Sequence, residues 1–296
     1  MKSFIGITLL ALLFTACKQE TTETQAASAT PSAQGGGCTI GKWSNLQAPM
    51  NLKISSDFLA DFSNADMVNG LNPFEQMAKA WNDSVSPSTS FFVLPMLQTA
   101  TTGSTTLSDY RDDEMGIYKS STWFSGVSSS ALAITQFYGV VRSDASLGTY
   151  IDLTHADILV NYRDFGSEFS YSLSSLSDYD LPTVLLHEMG HFLGLCHESS
   201  RPSIMAPYYY STLRSLKTYD TAKIRALYLN NQNYALSIAP HVSALSAPIG
   251  SEVHGHIELN ANGLCNHYVE GKLIYQHPGP VSALLTPHRS KSIPLR

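Results

Sequence analysis

The sequence predicts an α+β fold: a mixed, twisted sheet with three helices and a small β-rich appendage at the C-terminal end. Three observations lead there. Strong helical signals stand at residues 72–84 and 181–193. Between them lie segments of alternating and β-branched residues. Past about residue 231 the pattern changes to short β-like runs broken by Pro, Gly and Asn.

Asn72 can cap the first helix, Pro73 suits its first turn, and Glu75 stands where a capping box needs it. Phe74, Met77, Ala78 and Trp81 form one apolar stripe, the mark of a core face. Residues 91–97 read as a buried strand, 131–141 as one or two strands, and 149–162 as a strand leading to a turn. Asp180 can cap the second helix, with Pro182 in its first turn and Gly194 where a left-handed residue would end it. A third helix fits 220–229, with Ile224, Leu227 and Tyr228 on one face.

Of the 296 residues, 43% are hydrophobic and 14% charged, a balance that can bury a sizeable core and argues against disorder. The net charge of −6, with no long basic run, sets nucleic acid aside as a partner. A monomer is expected.

The N-terminal end reads as a targeting segment. Lys2 precedes an apolar run at 4–14 that is too short to span a bilayer comfortably, so residues 1–16 are expected to be a signal peptide. Phe14-Thr15-Ala16-Cys17 resembles a bacterial lipobox, with Phe14 in place of the usual Leu. That resemblance makes Cys17 a lipidated first residue, exported across the inner membrane and anchored in the envelope. Each buried CH₂ of its acyl chains would contribute about 0.8 kcal/mol. Lys18 is compatible with outer-membrane sorting. An ordinary secretory signal with a coincidental Cys is the alternative. Residues 17–37 carry no large apolar side chain and read as a flexible tether. The main domain is expected over 38–230, with an extension at 231–296. With Cys17 lipidated, Cys38, Cys196 and Cys265 remain, and an odd number cannot all pair. A Cys38–Cys265 bridge is expected, leaving Cys196 as the free thiol.

The segment His187-Glu188-Met189-Gly190-His191-Phe192-Leu193-Gly194-Leu195-Cys196-His197 is the informative one. Residues four apart on a helix share a face, so the imidazoles of His187 and His191 can reach one ion. Glu188 falls beside that ion rather than on it. Gly194 permits a sharp exit with φ > 0, which can swing His197 back as a third ligand. Three nitrogen ligands leave a position open for water, the arrangement of a catalytic zinc site. At ordinary residue frequencies the pattern would arise by chance in roughly one chain in 10⁴ or fewer.

The pattern H-E-x-x-H-x-x-G-x-x-H resembles the metzincin zinc endopeptidases. Ser203-Ile204-Met205 resembles their Met-turn. Met205-Ala206-Pro207-Tyr208-Tyr209 resembles the S1′ wall of the matrixins within that clan, and the strands at 131–135 and 156–161 resemble matrixin strands. Pro207 stands where astacin-like enzymes carry a metal-facing Tyr. The resemblance covers roughly residues 40–230. It implies a zincin fold and one catalytic Zn²⁺ on His187, His191 and His197, with Glu188 as general base. It also implies Met205 as a hydrophobic floor, and Pro207 and Tyr209 lining the pocket after the scissile bond, with simple aromatic packing the alternative for residues 208–210. An extended polypeptide substrate would add along an edge strand, at about residues 131–136. The cysteine-switch propeptide and the His-containing structural-zinc and calcium loop of vertebrate matrixins are not recognisable, and calcium is left open.

His155 reads as a surface or turn residue. His254 and His256 alternate along a strand and read as plain β-structure; with His241 or His267 they could instead hold a second metal. Two other functions compete: a non-proteolytic, zinc-containing surface module and a zinc amidase acting on cell-wall peptides. The intact Glu188 counts against the first, since a structural site does not need it.

Overall fold

The computed structural model describes residues 41–44, 49–87, 89–145, 147–172, 179–198, 202–209, 212–229, 245–261 and 265–277. The expected signal peptide, Cys17, the tether, Cys38 and His241 lie outside them. No helix among the described residues is long and apolar enough to cross a membrane.

In chain order the strands are β1 (Gly41–Lys42), β2 (Leu52–Ile54), β3 (Met115–Ser120), β4 (Ala131–Asp144), β5 (Gly148–Asn161), β6 (Phe169–Ser170), β7 (Tyr179–Asp180), β8 (Glu252–Asn260), β9 (Cys265–Val269) and β10 (Lys272–His277). The helices are α1 (Ser56–Leu59), α2 (Pro73–Val85), α3 (Tyr162–Phe165), α4 (Leu181–Phe192) and α5 (Thr218–Tyr228). A mixed eight-stranded sheet runs β10-β9-β8-β4-β5-β3-β2, with β1 also beside β5. Strands β1, β2, β3 and β5 pair in parallel, whereas β4, β8, β9 and β10 join antiparallel. This is an α+β arrangement with few helices, consistent with a matrixin-type fold.

The two strong helices form for the reasons their sequences give. Asn72 Oδ1 accepts from the backbone N–H groups of Phe74 and Glu75, and Glu75 Oε2 accepts from Asn72 N at 2.8 Å, closing the capping box. The Trp81 stripe is fully buried, and Trp81 Nε1 donates to Leu186 O at 3.0 Å, clamping α2 onto α4. Asp180 caps α4 by accepting from Thr183 N at 3.0 Å. Past the register shift between Ala131 and Ala133, Ala133 and Phe137 of β4 share a core with α4, while Ile134 joins Tyr110, Tyr118, Trp123 and Phe124 on the opposite face. Residues 131–139 are therefore buried without interruption, as a strand covered on both sides must be.

Three expectations need correction. Residues 91–97 form no regular strand: Phe92 makes only an isolated bridge to Met50, and Pro95 has no N–H to give to a ladder. Phe91 and Phe92 are nonetheless core residues. The β4 strand is not an edge, because β8 pairs with it from Ala131↔Asn260 to Val140↔Glu252. The described part of the C-terminal extension is thus continuous with the main sheet. Finally, the cysteine expectation is reversed: Cys196 is disulfide-bonded and Cys265 is free and buried.

Candidate metal centre

The one-face argument for His187 and His191 holds on α4, where both are buried. The helix stops at Gly194, whose φ is +89°, and a Cβ there would lie 2.0 Å from Gly41 O. Gly41 N also donates to Gly194 O at 3.0 Å, so the chain exit is pinned against β1. His197 comes back to the helix face. The three Nε2 atoms then lie 3.0 Å (His187–His191), 3.1 Å (His187–His197) and 2.8 Å (His191–His197) apart.

These separations demand something between the rings. His187 Nδ1 is 2.7 Å from Ile204 O and His191 Nδ1 is 2.8 Å from Leu195 O. A carbonyl oxygen only accepts, so both Nδ1 atoms carry the proton and both Nε2 atoms present bare lone pairs to each other. Burial pushes the His187 pKa down to about 4, against the pull of the Ile204 carbonyl, so protonation does not relieve the contact near neutral pH. A cation does. Tetrahedral zinc with Zn–N near 2.1 Å keeps its nitrogens roughly 3.4 Å apart, close to the triangle seen here. The donor set therefore fits zinc.

Glu188 projects beside this triangle and is fully buried. Thr135 on β4 donates its hydroxyl to Glu188 Oε2 at 2.6 Å, while Oε1 has no hydrogen-bond partner. Burial raises the Glu188 pKa to about 8, partly offset by the Thr135 hydrogen bond; a divalent cation alongside would pull it back toward the carboxylate.

Met205 is buried beneath α4. A Cβ on Gly190 would lie 2.2 Å from Met205 Sδ, so the glycine inside the motif is what lets the methionine sit there. Pro207 is buried in the same turn. Tyr209 is half-buried, accepts from Asp180 N at 2.9 Å and meets the Tyr179 ring edge-on, so it braces the start of α4.

Sequence reasoning missed three supporting residues. Asp220 on α5 accepts from Ile204 N (3.0 Å), Lys217 N (2.7 Å) and the Ser203 hydroxyl, fixing the turn whose carbonyl orients His187. His267 Nε2 is 2.9 Å from His197 Nδ1, and Cys265 Sγ is 3.4 Å from the His197 ring nitrogens. His197, Cys265 and His267 form a second tight group beside the histidine triangle. Register explains why His267 is here and His254 and His256 are not. Ile257 stands opposite both Thr135 and His267, placing His267 on the Glu188 face. His254 and His256 lie opposite Tyr138 and Gln136 on the other face, where they stack on Tyr138 and Tyr268. His155 lies within β5, mostly buried, and pairs with Asp157 at 2.7 Å rather than occupying a surface turn.

The matrixin family model matches residues 107–229. That is less than half of the chain, but it contains β3 to α5, the histidine triangle and the Met205 turn. A protein of Trichoplusia ni ascovirus 2c named "Putative matrix metalloproteinase" is 47% identical over 45 residues, 14% of this chain and 9% of that protein. The chain thus spans about a tenth of the length of that relative. The match and the three-histidine group together support a matrixin-like zinc metallopeptidase.

Proposed function

We propose that the protein is a zinc-dependent endopeptidase that hydrolyses peptide bonds in extended polypeptides. The observation that carries this reading is the pairing of three convergent Nε2 atoms, those of His187 and His191 deprotonated, with a neighbouring carboxylate whose Oε1 has no partner. A site built only to stabilise the fold would have no use for that oxygen.

His187, His191 and His197 would hold the ion. Bound zinc supplies Lewis-acid polarisation of the scissile carbonyl and of the attacking water. Glu188 Oε1 accepts the proton of that water and then delivers it to the leaving amine. Thr135, by occupying Oε2, fixes which carboxylate oxygen does so. Met205 gives the ligands an apolar floor, and the Asp220-held turn keeps the Ile204 carbonyl on His187 Nδ1. Pro207 and Tyr209 are assigned to the wall of the pocket after the scissile bond. Export, lipid attachment at Cys17 and action at the envelope belong to the same reading and rest on the N-terminal sequence; action as a monomer is proposed with them.

Glu188→Ala tests it. The variant is expected to fold, to retain zinc on metal analysis and to lose casein hydrolysis, which the wild-type protein shows only without chelator. Substantial hydrolysis by the purified variant would refute the role of Glu188. Hydrolysis of peptidoglycan fragments but not casein would replace the endopeptidase with the cell-wall amidase.

A further inference from the structure

The side chains of the candidate site are buried. His187, His191 and His197 are 2%, 4% and 8% exposed and Glu188 is 0% exposed. What covers the site on the sheet side is the chain's own β8–β9 hairpin.

We infer that β8 is a built-in occupant of the substrate strand position, so that the folded protein is held at low activity and an extended peptide gains the site only by displacing it. This rests on the endopeptidase reading above. Three observations carry it. Thr135, which holds Glu188, is paired with Ile257 of β8, so β8 lies on the stretch of β4 beside the general base. Each backbone N–H and C=O of β4 can complete one ladder at a time. A peptide adding along residues 131–136 needs the groups that β8 already uses, so the two are mutually exclusive. Second, β9 returns along β8 and presses Cys265 and His267 against His197, covering the third ligand from the same side. Third, the fit is close enough to exclude solvent. A Cβ on Gly255 would lie 2.1 Å from Tyr268 O of β9 and 2.7 Å from the Phe137 ring of β4.

The apparent affinity for a peptide is then its intrinsic affinity scaled by the fraction of molecules with β8 released. Cys265 is a built-in reporter of that release, because it is free and wholly buried while the hairpin is docked.

The test uses the zinc-loaded full chain, with alkylation of Cys265 by iodoacetamide followed by mass spectrometry. Gly255→Val is expected to raise the alkylation rate and peptide hydrolysis together, each by at least about tenfold. Because that variant could fail to fold, the wild-type protein is also mixed with a short peptide hydroxamate. Binding should expose the β8 amides to hydrogen exchange and speed Cys265 alkylation by a similar factor. A bound hydroxamate that leaves β8 protection and Cys265 reactivity unchanged overturns the inference. So does wild-type hydrolysis as fast as that of a variant with Cys265 exposed. Zinc-loaded protein with Cys265 exposed and no hydrolysis of any peptide would instead sink the endopeptidase reading.

Discussion

The histidine triangle is held from two sides that differ in kind. On the α4 side, His187 and His191 hydrogen-bond to backbone carbonyls of the Ile204 turn and of Leu195, within a segment that Asp220, Gly190 and Gly194 fix by close contact. On the sheet side, His197 meets a side chain, His267, brought in by a hairpin from far along the chain. The first side is a cradle built from buried, short-range contacts. The second is a cover held by strand pairing, a type of contact that another strand can reproduce. This difference teaches that metal retention and substrate access are controlled by separate parts of the fold, and substitutions should divide accordingly.

The cradle should fail hardest. Gly194→Ala puts a Cβ 2.0 Å from Gly41 O at a φ of +89°, and is expected to cost about 3–5 kcal/mol, read from urea unfolding. A loss under about 1 kcal/mol would mean that β1 moves aside freely. Asp220→Ala strands the buried Ile204 N–H and the Ser203 hydroxyl; about 2–4 kcal/mol is expected, along with weaker zinc binding as the Ile204 turn loosens. Unaltered zinc affinity in that variant would separate the turn from the metal site.

The cover should matter less for stability and more for the third ligand. His267→Ala removes the partner of His197 Nδ1 and is expected to lower zinc affinity by about 10–100-fold in competition with a chromophoric chelator, with the fold retained. An effect confined to unfolding would assign His267 to packing.

The smallest effect is a pH dependence in the hairpin. Burial raises the pKa of Glu258, but contacts from His256, Ser128 N, Asn266 and Asn260 outweigh it and leave the carboxyl below its ordinary value. A depressed folded-state pKa stabilises above the unfolded value, and that contribution is lost as pH falls below about 4. Glu258→Gln should therefore be less stable than wild type at pH 6, by about 1 kcal/mol, and converge with it as the pH falls through the depressed folded-state pKa. His256, Tyr268 and Cys265 are the titratable neighbours, so the difference reports Glu258 together with its coupling to them. A constant gap across this range would place the carboxylate outside the balance.

What could be read from the sequence follows the range of the forces involved. The caps at Asn72 and Asp180, the Trp81 stripe and the His187–His191 spacing are local, and local spacing fixes them. Gly194 announced both the helix end and the return of His197. The alternation of His254 and His256 gave their shared face but not which strand they would join, since β4 and β8 are more than a hundred residues apart in the chain. His267 and Cys265 have no local spacing to the zinc motif, and only register brings them to His197. Asp220 reads simply as the first residue of a helix until the turn at Ser203 folds onto it. Residues 91–97 are apolar enough for a strand, yet they serve the core through Phe91 and Phe92 without a regular ladder.

The central claim is that three imidazoles share one ion and leave a place for water. X-ray absorption at the zinc edge of the metal-loaded protein tests it most directly. The expected first shell is three histidine nitrogens at about 2.0–2.1 Å with one further light atom. A shell with only two imidazoles, or one completed by sulfur at about 2.3 Å, would contradict it.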